Sequence, residues 1–534
     1  MSDESDVIAA PRVLGITVVP AGKKVWVHLG FSSLLAILFL TFLDNTVISA
    51  VLANVQSELH AGVTQLQWVV GSYALMFASL MLICGSLGDA FGRKKVMLLG
   101  VTVFCAGSVI CAVAPTTAVL IGGRMVMGAG AAASEPATLS MIRHLYPDAR
   151  LRARALGAWA AVSGLALAMG PVLGGILNGI WSWRAIFWFN LIFGGLAFVA
   201  ATLGLPESSD PTRRTPDYLG FALGAFTLGA ATFATIYGET AGYFSSTVLT
   251  LYAVSLVALG VFIFAELHSP NPMLNLSFFR RAPFAGATFI ALTSYFSIFS
   301  IFFFVALYLE IIANADAYQL ALDFLPLLGG MVLAALFAGR WVGRVGSRVP
   351  MMTGCALAAL GVLLTNVEIS PHAGLASVGW TMGVAGIGFG ILVVPVTSTA
   401  LTSLPAANSG VAASTTNTSR ELGAVAGVAI LGSIVNGQLT VQLTNRLAQI
   451  GIPKVYRSEV IAAVTSGSLS AKIKAVTGQS SAAVRLIINK VVAAAYQAFA
   501  HGLNLALEAS FVLLIVSAAV AYFTGTSEQG DELL

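Results

Sequence analysis

The stretch GSLGDAFGRKKV, Gly85 to Val96, decides how this chain is read. It lies between two long apolar runs and gathers Asp89, Arg93, Lys94 and Lys95 into a chain that is only 9% charged. The chain has 534 residues, 57% of them hydrophobic, and a mean hydropathy of +0.88. A water-soluble domain carries far more charge, so the composition indicates an all-α polytopic membrane protein. In such a chain a charge cluster belongs between spans, at a membrane face.

Outward from that loop, fourteen runs are long enough to span a bilayer, which takes ~20 apolar residues. They cover 27–53, 66–87, 96–114, 118–142, 155–178, 184–205, 218–238, 246–266, 283–309, 319–342, 350–368, 375–402, 409–436 and 502–524. With a cytoplasmic N-terminus, the inner loops hold Arg93–Lys95, then Arg143, Arg150, Arg152 and Arg154, then Arg213–Arg214, Arg280–Arg281, and Arg340, Arg344 and Arg348. The short loops near 54–65, 115–117, 239–245, 310–318 and 369–374 carry no Lys or Arg. This alternation follows the positive-inside rule. It predicts a multi-pass protein of the plasma membrane with both termini cytoplasmic, and places the opening stretch on the inner face.

The polar N-terminal segment carries Asp3, Glu4, Asp6, Arg12, Lys23 and Lys24, and no short apolar region with a small-residue cleavage site follows it. The first apolar run is long enough to stay as a span, so no cleaved signal is read. One outer segment breaks the charge rule: 437–501 holds Arg446, Lys454, Arg457, Lys472, Lys474, Arg485 and Lys490. Long loops escape the rule. Within it Val484, Ile487, Ile488, Val491, Val492, Ala495 and Phe499 recur at helical spacing. That stripe predicts a helical hairpin outside the membrane, or alternatively a helix lying on the bilayer surface.

An internal repeat relates GSLGDAFGRK at 85–94 to GRWVGRVGSR at 339–348, matching Gly85 with Gly339 and Gly92 with Gly346. Transporters are commonly built from such repeats. The expected division is a cytoplasmic segment 1–26, a six-helix half 27–206, two linker helices within 207–278, and a second six-helix half 279–534 carrying the insertion 437–501.

These residues resemble the major facilitator superfamily, whose signature loop the opening stretch is similar to. LDNTVISAVL (43–52), GGRMVMGAGAA (122–132), GPVLGG (170–175), WSWRAIFWFN (181–190) and SRELGAVAGVAILGS (419–433) resemble its fourteen-helix drug–proton antiporter family, the quaternary-ammonium exporter branch in particular. The similarity runs from about residue 30 to 524. It implies the major facilitator fold with helices arranged 6+2+6. It also implies that the loop of Gly85, Asp89, Gly92 and Arg93 latches the two halves on the cytoplasmic side. Gly343 stands in the second repeat where Asp89 stands in the first, which puts an equivalent latch there in doubt.

The candidate chemistry lies in buried charges, since an ionisable side chain within a membrane span is by default functional. Asp44, in the first run, matches the family's transport Asp; it holds either a proton or a cation, or else forms a packing salt bridge with Arg124. Arg124 matches the family's fourth-helix Arg, implied in proton coupling. Glu135 lies eleven residues on, about 16 Å along the same helix face. It departs from the family, which has an apolar residue there, and reads as a second proton or cation site, as an anchor at the cytoplasmic interface, or as a group satisfying a local hydrogen bond. Glu421 matches an acidic position of the quaternary-ammonium branch, with Arg420 beside it as a neutralising partner. Asp89 reads as a helix-end acid meeting the positive N-terminus of another helix; Arg93–Lys95 also serve as topology anchors. Gly164 and the exporter-type motif Gly170, Pro171, Gly174 and Gly175 carry no chemical group; Pro kinks a helix and Gly permits close sliding contact.

Glu310 and Asp323 read as wetted rim charges, or alternatively as guides for cations, and Glu508, with His501 and Asn504, as interface anchoring. The aromatics of 294–308 suit flat cations or serve as lipid-facing filler. The four cysteines lack metal or disulfide spacing, the six histidines are scattered, and no G-x-x-x-x-G-K-[ST] supports ATP drive. The expectation is therefore not an enzyme. It is a monomeric, proton-coupled exporter of lipophilic, cationic drugs or amphiphiles, with protons as coupling ion, no other cofactor, membrane lipid around it and no nucleic-acid partner. Export of an endogenous lipid or metabolite is the alternative transporter reading; a membrane sensor or scaffold using 437–501 is the alternative of another class.

Overall fold

Lipid offers no hydrogen bonds to a backbone, so apolar runs of this length have one local solution, the α-helix. The structure is a computed structural model, and it describes residues 12–13, 16–17, 21–61, 63–208, 217–270, 272, 274–311, 317–369, 375–405, 408–450, 452–453, 457 and 482–525. A two-stranded antiparallel ribbon, β1 (Arg12–Val13) and β2 (Ile16–Thr17), precedes the helices. The first helices are α1 (Ala21–Val47), α2 (Leu52–Leu59), α3 (Val63–Phe91), α4 (Arg93–Ala112), α5 (Thr117–Leu145), α6 (Ala149–Ile180) and α7 (Ala185–Gly204). Next come α8 (Tyr218–Ala241) and α9 (Ser246–His268). The rest are α10 (Ala282–Ile311), α11 (Ala317–Val345), α12 (Arg348–Glu368), α13 (Leu375–Thr402), α14 (Ser409–Gln449) and α15 (Ala482–Thr524). All but α2 are long and apolar enough to cross a membrane, which makes fourteen spans among the described residues when the two parts of the bent α6 are counted as one.

Most element boundaries shift by a few residues from the sequence reading, and three of the shifts bear on packing. The first span ends at Val47, not residue 53, and passes through a 3₁₀ turn (Ile48–Val51) into α2. At that end the Thr46 hydroxyl reaches out of its own helix to the Leu167 carbonyl, 3.1 Å away on α6, which ties the end of α1 to its neighbour. α14 runs on past residue 436 to Gln449, and α15 starts at Ala482, twenty residues ahead of the expected 502. Gly502 does not break α15, because it sits against the backbone of Val435 on α14. The extensions pair through buried Leu439, Leu443 and Leu447 on one side and Val491, Ala494 and Ala498 on the other, with Arg446 bonded to Gln497. The tip of this insertion, 458–481, lies outside the described residues, as does most of the segment 1–20.

Two sets of helices, α1–α7 and α10–α15, meet at the end that carries the basic loops. There Gly85 of α3 lies against Ser414 of α14, and Gly339 of α11 lies against Ala153 of α6. Arg143 of α5 donates to the Leu401 and Leu404 carbonyls at the end of α13, the latter at 3.0 Å. At the opposite end, Glu58 of α2 bonds Arg184 and Trp183, and Arg184 reaches the Ala114 carbonyl at 3.0 Å, all within the first set. Arg184 is thus a basic residue on the face that the charge pattern leaves almost bare. Its pairing with Glu58 offsets the charge.

α8 packs on α3, with Trp68 and Phe233 rings 5.2 Å apart and Gly71 against Ile236. α9 lies outside α8 and presents Leu256, Val257 and Phe264 outward, 64–70% exposed, as a lipid-facing helix does.

Candidate functional site

Inside the first set, three helices bring one carboxylate and its partners together. Asp44 of α1 is 0% exposed and Arg124 of α5 is 1% exposed; the two form an ion pair. Asn190 of α7 donates to the other Asp44 oxygen at 2.8 Å. Arg124 also donates to the Val69 carbonyl at 3.1 Å and lies over the Tyr73 ring, 4.6 Å from its centre, while the Tyr73 hydroxyl donates to the Thr41 carbonyl. A buried charge is tolerable only when paired and hydrogen-bonded in this way. The sequence reading left transport and packing roles open for Asp44; the salt bridge to Arg124 is present, and it is compatible with both. Asn190 and Tyr73 escaped that reading. Asn190 was visible in principle, as an amide within a 20-residue apolar helix.

A second cluster lies between the two sets. Glu135 of α5 is 1% exposed; its Oε1 accepts from Asn417 of α14 at 3.0 Å, and its Oε2 is buried without a partner. Arg420, 3% exposed, donates to Asn417 at 2.9 Å and to Thr397 of α13. Its guanidinium lies 5.6 Å from the Trp159 ring and 5.5 Å from the Tyr295 ring. Trp159 in turn donates to Thr138 at 3.0 Å, one turn from Glu135. Arg420 forms no ion pair with Glu421 among the described residues, so its charge is spent on α13, Asn417 and two ring faces. Glu421 is half-buried on α14. Asn417, Thr397 and Trp159 are further members that sequence reasoning missed, because nothing in one helix announces what another brings to it. Of the aromatic run 294–308, Tyr295, Phe296 and Phe304 are buried within the protein, so they are not lipid-facing filler.

The opening stretch forms the third site. Asp89 ends α3 and accepts from the backbone N–H groups of Gly410 and Val411, at 2.9 and 3.0 Å, the first residues of α14. Those N–H groups have no partner within their own helix, and the helix dipole is positive there. Arg93 donates to the same carboxylate at 2.7 and 2.9 Å and to Ser208 at 2.8 Å. Gly92 turns the chain at φ 111°, a conformation glycine adopts without strain. Lys94 caps the end of α7 through the Thr202 and Leu205 carbonyls, a favourable place for a cation, and only Lys95 is exposed.

In α6 the axis bends by 46° between Leu167 and Val172. Gly170 meets Thr46 of α1, whereas Gly164 faces Met331 and Val332 of α11 in the other set. Gly175 has open space where a side chain would stand, so close packing does not explain it; Gly174 is buried, and the Pro171 side chain lies outside the described residues. Asp323 is half-buried with Oδ2 unpartnered, drier than a rim charge; the Glu310 side chain lies outside the described residues. Glu508 and His501 are exposed on α15, and Asn504 is half-buried.

An apolar cleft of 590 Å³ opens between α8, α9 and α14, lined by Thr232, Tyr243, Phe244, Tyr252, Leu422 and Ile430 among others. Thr232 is 1% exposed and its hydroxyl has no partner, while Thr235 and Tyr252 share a hydrogen bond of 2.9 Å.

Comparison with known proteins agrees with this architecture. The solved human organic anion transporter MFSD10 (TETRAN) superposes with a TM-score of 0.57 at 15% identity, over 93% of this chain and 100% of that one. A bacterial homologue of the human lysosomal transporter Spinster, in an inward-facing unoccupied conformation, gives 0.55 at 17% identity, over 95% and 98%. Multidrug resistance protein Stp of Mycobacterium tuberculosis (strain CDC 1551 / Oshkosh) is 31% identical over 427 residues, 80% of this chain and 79% of that protein. The methylenomycin A resistance protein of Bacillus subtilis is 32% identical over 408 residues, 76% and 87% respectively. The sequence model of the Major Facilitator Superfamily matches residues 34–428, so the chain belongs to the Major Facilitator Superfamily.

Proposed function

We propose that the protein exports lipophilic cations, drugs or toxic amphiphiles, in exchange for protons. The observation that carries this reading is the pair of acids buried in the bundle, Asp44 and Glu135, the second with an unpartnered oxygen at the junction of the two helix sets. A carboxylate that is dry in one conformation and wetted in another exchanges a proton for a cation at one place. The cycle balances simply. A proton taken from outside neutralises a carboxylate and frees the cation to that side; the proton then leaves to the cytoplasm, and the bare carboxylate accepts the next cation. Arg124 holds Asp44 and competes with the cation for it. Glu421, on the α14 turn facing the same region, adds negative charge. Drug and antibiotic resistance proteins among the relatives support the substrate class.

In this reading the halves 27–206 and 279–534 rock about a site near the midplane, and the bend at Gly170–Pro171 with Gly174 and Gly175 is a flexing element. The loop of Gly85, Asp89, Gly92 and Arg93 locks the cytoplasmic face, with both termini on that side of the plasma membrane. The protein works as a monomer in contact with lipid.

The test is proteoliposome transport of a fluorescent lipophilic cation under an imposed proton gradient. Wild type moves the cation against its gradient, and Asp44→Asn abolishes coupled movement. Normal coupled transport by Asp44→Asn removes Asp44 from the proton path and leaves Glu135→Gln as the decisive variant. The apolar cleft beside α8 and α9 favours one second reading, export of an endogenous lipid. Absence of cation transport under any gradient, with lipid retained on the purified protein, would select it.

A further inference from the structure

The two repeats seat their helices alike but differ in charge: Gly343 stands where Asp89 stands, and Arg340 and Arg344 stand where Ser86 and Ala90 do. In the first, Gly85 lies against Ser414, and Asp89, one turn on, caps the start of α14 at Gly410. In the second, Gly339 lies against Ala153 and Arg154, and a side-chain carbon at Gly343, one turn on, would lie 3.3 Å from the Arg150 Cα at the start of α6. Both repeats then turn through a positive-φ glycine, Gly92 at 111° and Gly346 at 78°. The contacts are therefore equivalent, helix end against helix start, with the carboxylate missing from the second.

What stands in its place is a cavity of 190 Å³ lined by Arg150, Arg154, Arg340 and Arg344 with Gly339 and Gly343. That is room for several waters, each needing roughly 30 Å³. Two of the arginines come from α6 in the first helix set and two from α11 in the second. Among the described residues no Asp or Glu carboxylate forms an ion pair with any of the four. Asp148, the nearest acid along the chain, is engaged in capping α6 through the Leu151 N–H at 2.8 Å. All four arginines are exposed, so water screens but does not remove their mutual repulsion at the contact that joins the two sets. An anion there turns that repulsion into attraction, and planar guanidinium groups match phosphate oxygens in pairs.

We propose that this four-arginine cavity binds a phosphate-bearing anion, which takes at the α6–α11 contact the structural place that the Asp89 carboxylate holds at the α3–α14 contact. Because its ligands come from both helix sets, the bound anion holds this face closed. The phosphate belongs either to an anionic lipid headgroup or to a free ion, and the proposal does not depend on what the protein transports.

The full-length protein is placed in nanodiscs of phosphatidylcholine, with or without phosphatidylglycerol, and its melting temperature is measured. In parallel, inorganic phosphate is titrated against chloride at constant ionic strength. A rise with phosphatidylglycerol alone identifies a lipid headgroup, and a rise with inorganic phosphate in neutral nanodiscs identifies a free anion. The rise is expected to vanish in the double variant Arg154→Gln/Arg340→Gln, one ligand from each set, and to persist in Lys95→Gln, an exposed charge on the same face. Gly343→Asp places the first repeat's carboxylate in the cavity; it is expected to melt higher in neutral nanodiscs and to gain nothing further from either anion. If Gly343→Asp does not fold, the arginine double variant and the Lys95 control decide alone. The proposal is overturned if neither anion moves the wild-type melting temperature, or if the rise survives in the arginine double variant.

Discussion

Asp44 and Arg124 show why a buried ion pair is read by what its loss would expose. Each is at most 1% exposed, so neither charge has water to fall back on. Removing one partner of such a pair costs about 3–5 kcal/mol, since the other is left charged and dry. Asp44→Asn is therefore expected to melt lower as well as to lose coupled transport, whereas Asp44→Asn/Arg124→Gln recovers most of the stability and none of the coupling. Thermal melts of the single and double variants check this; a double variant that transports normally would deny Asp44 its proposed role. Glu58 makes the contrasting case at the surface. Its hydrogen bonds from Arg184 and Trp183, the latter at 2.6 Å, hold its carboxyl below the ordinary value of 4.5. A depressed carboxylate contributes stability that is full above its unfolded value and is lost as pH falls through its folded value. Wild type is thus expected to lose an increment over Glu58→Gln only below pH 4.5, visible as converging melting temperatures on acidification.

Among the elements, α6 uses small residues on two of its sides. It touches α1 through Gly170 and α11 through Gly157 and Gly164, so one helix mediates packing within a set and between sets. A methyl at Gly170 would overlap the Thr46 side chain, whose hydroxyl is bonded to the Leu167 carbonyl of α6 itself. Overpacking of this kind costs about 1–3 kcal/mol. Gly170→Ala is expected to melt lower by that amount, and Gly170→Ala/Thr46→Ala, which removes the overlapped hydroxyl, to regain part of it. Gly175→Ala, with nothing near its missing Cβ, is expected to leave stability unchanged. Equal effects at the two glycines would remove the packing argument.

For the whole molecule, the described contacts between the two helix sets concentrate at the basic-loop end. Asp89 is central there, joining α3 to the first N–H groups of α14, with Arg93 and Ser208 behind it. Hydrogen bonds to a charged group contribute about 1.5–3 kcal/mol each. Asp89→Asn keeps the shape and drops the charge, so the closed-to-open ratio is expected to fall by about tenfold or more for loss of one such bond. Spin labels on α4 and α14 at the basic-loop face would show a longer-distance population; an unchanged distribution would mean that Asp89 does not hold this face.

Several of these arrangements were legible in the chain. Run lengths and Arg placement located the spans, GSLGDAFGRKKV named the helix-end acid, and the lone acids at 44 and 135 marked themselves by lying in apolar runs. Three things were not. Arg184 played no part in the sequence reading of the charges, and its pairing with Glu58 emerges only from the fold. The ends of α1, α14 and α15 followed packing against neighbours, which run length does not record. Asn190, Asn417 and Trp159 gained meaning only from the side chains other helices bring to them.

The sequence by itself determined that this is a bundle of spanning helices with two related repeats and a few costly buried charges, because lipid penalises every unpaired backbone group and every isolated charge locally, residue by residue. Only the tertiary structure decided which charges meet. Asp44 pairs within one helix set, Glu135 reaches across to the other, and Asp89 caps a helix more than three hundred residues away in the chain. Such partnerships depend on how helices cross and which faces they bring together, and that geometry is set by packing over the whole bundle.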